Sequence, residues 1–133
     1  MTAPEIRTRL EAVHGCRAGD VRGCVWYNYE QGIVYPAAAL GVIYDPRTGQ
    51  QSYHTGHSSD IISLAVSSCR RFVASGDAAD PPQVHVWDAL SLELARLLPS
   101  LHSVGVALLA FSQDGHWLAS VGHDLEHTVA VYK

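Results

Sequence analysis

Histidine, serine and aspartate are the residue types of a hydrolase triad, in which the imidazole takes a proton from the hydroxyl and the carboxylate orients the ring. This chain offers such a set in His57, Ser75 and either Asp77 or Asp80, ahead of Trp87. A nucleophilic serine of the Gly-x-Ser-x-Gly type lies on a strained strand-to-helix turn, whereas Ser75 lies in a β-rich run. We therefore expect these residues to form a buried structural network and assign no catalytic residue.

The expected network has a second copy further along the chain. In the first copy the His57 imidazole, the Ser75 hydroxyl and the Trp87 indole join a carboxylate, for which we take Asp80. Buried polar groups of these types satisfy one another's hydrogen bonds. The second copy, 45 residues later, consists of His102 and Ser120 with Asp124 as the carboxylate and Tyr132 in place of the indole. A phenol also donates a hydrogen bond, from a different position.

Other histidines raise the question of a metal site. The segment 123–127 carries two imidazoles and two carboxylates, but it falls in a predicted turn and lacks the helical spacing that would direct both rings to one ion. The sequence gives His54, His85 and His116 no ligand-like companions, and we interpret them as surface or strand residues. No glycine-rich phosphate loop is present. We expect neither a metal ion nor a cofactor.

Two adjacent arginines are the candidates for partner binding. Arg70 and Arg71 lie in a predicted turn between two strands, where they would meet an acidic partner surface. Solvated charges on a turn are an equally good explanation of the pair.

The elements that position these residues follow from an internal repeat. Two stretches superimpose without a gap at an offset of 45 residues, each with a histidine near its start and an aromatic residue near its end. A period of this size indicates a propeller blade of short antiparallel strands. Strands are predicted at 61–67, 71–76, 84–88 and 92–98 in one repeat, and at 105–112, 117–122 and 128–132 in the next.

The remaining chain divides into a lead-in and a divergent blade. Residues 1–23 form the lead-in, and its Thr2 to Glu5 capping-box spacing is compatible with a short helix. Residues 24–55 are interpreted as the divergent first blade, 56–100 as a regular blade, and 101–133 as a blade that lacks its last strand. The predicted fold is therefore all-β, with about three four-stranded antiparallel blades, the last incomplete.

Composition narrows the class of function. The chain has 133 residues, 47% of them hydrophobic, and a net charge of −4. It carries no basic patch of the kind that nucleic acid or an anionic membrane requires, and no apolar run long enough to span a bilayer. Its three cysteines lack metal-binding spacing and fit a reducing compartment. We expect a cytoplasmic protein that binds neither nucleic acid nor membrane.

The repeat from Gly56-His57 to Trp87-Asp88, together with its second copy, resembles the WD-repeat family of β-propellers. Upstream, the run from Leu10 to Arg17 and the strands near Ile33 and Gly41 look like the hydrophobic motif of echinoderm microtubule-associated-protein-like proteins. This resemblance implies a non-catalytic propeller segment that contributes to binding tubulin or microtubules at the cytoskeleton. The alternative is a general WD-repeat scaffold for protein-protein interaction without preference for microtubules.

About three blades make an open arc, whereas a propeller closes a ring of four to eight. The end blades of an arc expose apolar faces that normally pack against neighbouring blades. We therefore expect the sequence to be a fragment or a truncated form of a larger propeller, and to self-associate when expressed as written.

Overall fold

The computed structural model describes residues 4–99 and 101–133, and within those ranges every regular element is a β-strand. That part of the chain contains no helix long and apolar enough to cross a bilayer. Its strands, in chain order, are β1 Trp26–Tyr27, β2 Ile33–Ala37, β3 Leu40–Asp45, β4 Gln50–His54, β5 Ile61–Val66, β6 Phe72–Asp77, β7 Val84–Asp88, β8 Leu94–Leu98, β9 Val106–Phe111, β10 Leu118–Gly122 and β11 Val129–Tyr132.

Within each sheet, strands that follow one another in sequence pair side by side, so the sheets are simple antiparallel meanders. Among the described residues, sheet 1 contains β1 to β4, sheet 2 contains β5 to β8, and sheet 3 contains β9 to β11. Short strands joined by tight turns need no crossover connection, because antiparallel neighbours can be linked by a few residues. The predicted all-β fold of antiparallel blades, with the last blade short of a strand, is confirmed.

Equivalent turns connect the first two strands of sheets 2 and 3. In sheet 2, Ser67 N–H donates to the Phe72 carbonyl across the turn, and Arg70 adopts a φ of 58°. In sheet 3 the matching position is Gly115, with a φ of 75°. Left-handed backbone is natural for glycine and costs energy for a residue with a Cβ atom. The turn is therefore the same in both repeats, even though arginine at position 70 is unfavourable for left-handed backbone.

The hydrophobic core lies between the sheets. Sheets 1 and 2 share a buried cluster made of Val34, Ile43, Leu64, Val66, Val73, Trp87 and Ala89. Sheets 2 and 3 share another, made of Ala74, Val84, Val106 and Leu118. Glycines allow the closest approaches: a Cβ at Gly41 would lie 2.7 Å from the Trp87 ring, and one at Gly76 would overlap Val106. The sheets thus pack face to face, as neighbouring blades do.

The lead-in is irregular and runs against sheet 1. The side-chain amide of Gln51 in β4 pairs with the backbone of Val13, accepting from its N–H at 2.8 Å and donating to its carbonyl at 2.9 Å. Arg17 reaches Asp60 at 3.2 Å, ahead of sheet 2. The short helix compatible with residues 1–12 is absent from 4–12, so that prediction is wrong there, while Met1, Thr2 and Ala3 lie outside the described residues.

One face of sheet 3 is apolar and exposed. The side chains of Leu108 and Val129 are 56% and 66% exposed, and both lie directly across from Val121 in the strand register. Val131 continues the same face and pairs with Ala119. This face has the composition of a buried blade surface.

Candidate functional site

A continuous hydrogen-bonded network runs through the middle of sheet 2. The Trp87 indole N–H on β7 donates to the Ser75 hydroxyl on β6 at 3.1 Å, and this hydroxyl lies 2.7 Å from Nε2 of His57. All three side chains are buried, and Ser75 and Trp87 have no exposed surface. The register places them together, since Ser75 pairs with His85 and Val73 pairs with Trp87 across the two strands.

The carboxylate of this network is Asp77, and the assignment to Asp80 is wrong. Asp77 Oδ2 lies 2.8 Å from His57 Nδ1, and its other oxygen accepts the backbone N–H groups of Ala79 and Gln83. Asp77 lies two residues after Ser75 on the same strand, and alternation directs both side chains to one face. Asp80 lies in the following loop and is exposed.

Hydrogen-bond directions in this network are those of a catalytic triad, but its location prevents that chemistry. The His57 Nδ1–H donates to Asp77, so its Nε2 accepts from the Ser75 hydroxyl, whose oxygen also receives the Trp87 N–H. Burial lowers the pKa of His57, and the bond to Asp77 opposes this shift only in part. A nucleophile without solvent exposure offers no approach to a substrate, so the network's contribution is to packing and polar satisfaction.

Sheet 3 carries a related network with an additional residue. His102 Nε2 lies 2.7 Å from the Ser120 hydroxyl, while its Nδ1 lies 2.8 Å from the Thr128 hydroxyl. Thr128 in turn donates to Asp124 at 2.6 Å, which leaves Asp124 3.9 Å from the imidazole. The bonds from Thr128 lower the pKa of Asp124. The structure brings His102, Ser120 and Asp124 together and adds Thr128, which the sequence analysis did not include and whose counterpart 45 residues earlier is Gln83.

Tyr132 does not replace the indole of Trp87 in this second network. Its hydroxyl donates instead to the carbonyl of Pro99 at 3.2 Å, in the segment before sheet 3. The longer reach of the phenol takes its hydroxyl past the position that the indole N–H occupies in sheet 2.

Two further histidines join the first network: both lie in strands, in line with their interpretation from the sequence, but each has ring companions that the sequence did not indicate. His54, at the end of β4 in sheet 1, and His85, on β7 in sheet 2, are 2% and 3% exposed. His54 Nε2 lies 3.2 Å from His85 Nδ1, and the His54 ring stacks on Trp87 with centroids 4.8 Å apart. His57 stacks on His85 at 3.7 Å. Three imidazoles from two sheets therefore form one buried cluster.

The cluster's environment keeps its imidazoles neutral. Burial lowers the pKa of His54, and burial together with the neighbouring rings of His57 and His54 lowers the pKa of His85 to about 4. The sequence signal for this cluster is weak, because His54 and His85 are 31 residues apart and meet only through packing of sheet 1 on sheet 2. His116 is exposed, as are His123 and His127 of the segment that resembled a metal motif.

Arg70 and Arg71 occupy the exposed turn of sheet 2, but their side chains differ in what they contact. Arg71 pairs with Asp88 at 2.9 Å, which offsets part of its charge. Within the described part of the chain, the Arg70 side chain makes no hydrogen bond or ion pair, while its carbonyl accepts from the Tyr29 N–H of sheet 1 at 3.0 Å. Arg70 is therefore the more available charge.

An aromatic surface adjoins this turn. Trp26 and Tyr27 of β1 are 40% and 57% exposed, and they line a shallow groove together with Val66 and Arg70. Exposed aromatic side chains beside an arginine have the composition that is enriched at protein-protein interfaces. The fold thus places Arg70 in a surface that sequence analysis did not include.

Comparison with known protein families agrees with this arrangement of blades. Residues 49–88 and 97–132 each match the WD domain, G-beta repeat, and together they cover more than half of the chain. The chain belongs to the WD-repeat proteins. Residues 3–42 match the HELP motif, which in this WD-repeat chain covers the lead-in and the strands β1 and β2, and the start of β3.

Several curated relatives align with nearly the whole chain. Echinoderm microtubule-associated protein-like 2 of Rattus norvegicus is 30% identical over 97% of the chain, and the 77 kDa echinoderm microtubule-associated protein of Strongylocentrotus purpuratus is 33% identical over 98%. WD repeat-containing protein 90 of Mus musculus is 31% identical over 95%. The chain spans 22%, 20% and 7% of these relatives' lengths respectively. The resemblance found in the sequence is confirmed.

Proposed function

We propose that this chain is a non-catalytic WD-repeat segment that contributes a tubulin- or microtubule-binding surface and acts at the cytoskeleton in the cytoplasm. The observation that carries the proposal is the exposed Arg70 turn beside the aromatic groove of Trp26 and Tyr27. Two of its relatives are named as microtubule-associated proteins, which supports the choice of partner.

Charge explains why the attraction has to be local. The chain has a net charge of −4, and tubulin presents acidic tails, so the two molecules repel each other on average. Charges separated by more than about 8 to 10 Å are screened at physiological salt, so an exposed arginine acts through its immediate surroundings. Arg70 has no competing carboxylate partner within the described residues, whereas the charge of Arg71 is shared with Asp88.

A general scaffold for protein-protein interaction is the alternative function. The net negative charge favours it, and WD repeat-containing protein 90 carries no microtubule term in its name. In this case the aromatic groove would bind a neutral or basic partner segment, and the acidic tubulin tails would make no difference.

Microtubule co-sedimentation separates the two functions. We expect the folded chain to pellet with microtubules, less at higher salt, and less with microtubules whose acidic tails have been removed by proteolysis. Arg70→Gly removes the charge and leaves a residue that suits the φ of 58°. This change should weaken binding about fivefold, equivalent to about 1 kcal/mol.

The matched control is Arg47→Ala, which removes an exposed arginine from a turn of sheet 1 where it pairs with Asp45. Binding should be unchanged in this variant. If Arg70→Gly and tail removal also leave pelleting unchanged, the tubulin surface is elsewhere and the general scaffold becomes the better explanation. Light scattering on each sample establishes that a soluble, folded species was tested.

A further inference from the structure

We propose that His54 and His85 form a binding site for a divalent transition-metal ion of the Zn²⁺ class, and that the ion would link sheet 1 to sheet 2. The two ring nitrogens that face each other, His54 Nε2 and His85 Nδ1, are 3.2 Å apart. If an ion lay about 2.0 to 2.1 Å from each nitrogen, the nitrogen–ion–nitrogen angle would be about 100°, close to the angle of a tetrahedral site. The site is independent of the proposed microtubule surface.

The outer hydrogen bonds of both rings favour metal ligation. His54 Nδ1 lies 2.8 Å from the Leu92 carbonyl, which only accepts, so this nitrogen carries the proton and Nε2 carries a lone pair. His85 Nε2 lies 3.3 Å from Oε1 of Gln83, which again makes this nitrogen the donor and leaves a lone pair on Nδ1. A carbonyl oxygen behind each ring is the usual support of a metal-binding histidine.

These assignments place two lone pairs opposite each other. Neutral rings in these tautomers supply no proton for the contact between His54 Nε2 and His85 Nδ1. Either the Gln83 amide is reversed, so that His85 Nδ1–H donates to His54, or a cation occupies the position between the two nitrogens. With Oε1 of Gln83 facing His85 Nε2, the arrangement with the cation is the one that we propose.

The surroundings of the two ligand nitrogens offer space for an ion to enter and a negative charge to compensate it. Gly56 is exposed, and a Cβ built on it would lie 3.4 Å from His85 Cε1 and 3.7 Å from Nδ1, so the missing side chain leaves room beside the ligand nitrogen. The buried Asp77 carboxylate, held behind His57, supplies a compensating negative charge. A third ring nitrogen, from His57, lies within 4.8 Å of the other two, but both nitrogens of that ring are engaged by Ser75 and Asp77. We therefore assign the ion two protein ligands, with water completing the coordination.

Zn²⁺ titration of the purified full chain tests the site, with a colorimetric chelator as competitor. We expect one ion per chain and an increase in melting temperature on Zn²⁺ addition, because a ligand that binds only the folded state stabilises it. Binding should be lost in His54→Gln and in His85→Gln. His116→Gln, which removes an exposed imidazole, is the matched control and should bind as the unmodified chain does.

Gln83 variants keep the test valid if the histidine variants fail to fold, since Gln83 is only partly buried. Gln83→Leu removes the outer acceptor and should weaken Zn²⁺ binding by about tenfold or more. Gln83→Glu supplies a stronger acceptor and should tighten it. Equal Zn²⁺ affinity in the unmodified chain and in both Gln83 variants would overturn the proposal.

Nitrogen NMR of the histidine rings in the unmodified chain gives the direct readout. Zn²⁺ should shift the resonances of His54 Nε2 and His85 Nδ1 and leave protons on His54 Nδ1 and His85 Nε2. A proton that remains on His85 Nδ1 in the presence of Zn²⁺ would overturn the site. So would the absence of saturable binding at sub-millimolar Zn²⁺, or loss of binding in His116→Gln alone.

Discussion

The Asp77 carboxylate accepts three hydrogen bonds, from the His57 ring and from the backbone N–H groups of Ala79 and Gln83. The first bond completes the network of Ser75 inside sheet 2, and the other two close the loop between β6 and β7. A single buried side chain thus stabilises both the interior of a blade and its connection. Hydrogen bonds to a buried charged group are worth more than neutral ones, and unpaired donors left behind cost more still.

Replacing Asp77 by alanine should therefore lower the free energy of unfolding by about 3 kcal/mol, because three donors lose their acceptor. Urea unfolding followed by Trp fluorescence measures the change. Asp80→Ala is the control, and its exposed side chain should contribute less than about 0.5 kcal/mol. Equal costs for the two substitutions would show that the network adds little beyond the general effect of the loop.

At the level of the elements, the repeated turn shows how a strand connection tolerates an unfavourable residue. Arg70 and Gly115 occupy equivalent positions with φ of 58° and 75°. A Cβ at Gly115 would meet nothing within 4 Å, so substitution there would strain the backbone without causing a clash. The arginine is tolerated because strand pairing on either side determines the turn.

Single substitutions at positions 70 and 115 should have opposite effects on the free energy of unfolding. Arg70→Gly should raise the free energy of unfolding by about 1 kcal/mol, since glycine adopts left-handed backbone without strain. Gly115→Ala should lower it by about the same amount. Thermal unfolding of both variants measures the difference. Destabilisation by Arg70→Gly would mean that the contacts of the arginine side chain stabilise this turn by more than the backbone strain destabilises it.

For the molecule as a whole, three stacked sheets form an arc whose last described face is apolar. Leu108, Val121 and Val129 lie side by side across the strands of sheet 3, where a further blade would pack in a closed ring. The chain buries equivalent faces between its own sheets. We propose that this face drives self-association when the chain is expressed as written.

Val129→Lys places a charge on this face and should weaken self-association at least about tenfold, because burying an unpaired ammonium is costly. Sedimentation velocity over a concentration series measures the effect. Leu125→Lys adds the same charge at a fully exposed position in the turn before β11 and should leave association unchanged. A monomeric unmodified chain at all concentrations would contradict the proposal.

Much of the architecture could be predicted because it depends on local patterns. The strands predicted at 61–67 and 84–88 begin at the observed residues, and those predicted at 105–112 and 128–132 start within one residue of the observed ones. Alternating apolar residues and turn residues act over a few positions, so they are visible in the sequence. The same applies to His57, Ser75 and Trp87, whose spacing repeats 45 residues later.

The sequence by itself therefore determined the WD-repeat blades and most members of their polar networks. Only the tertiary structure decided between Asp77 and Asp80, inserted Thr128 between His102 and Asp124, and brought His54 beside His85. These outcomes depend on strand register and on the packing of one sheet against another. Such contacts join residues far apart in the chain, and no local periodicity records them.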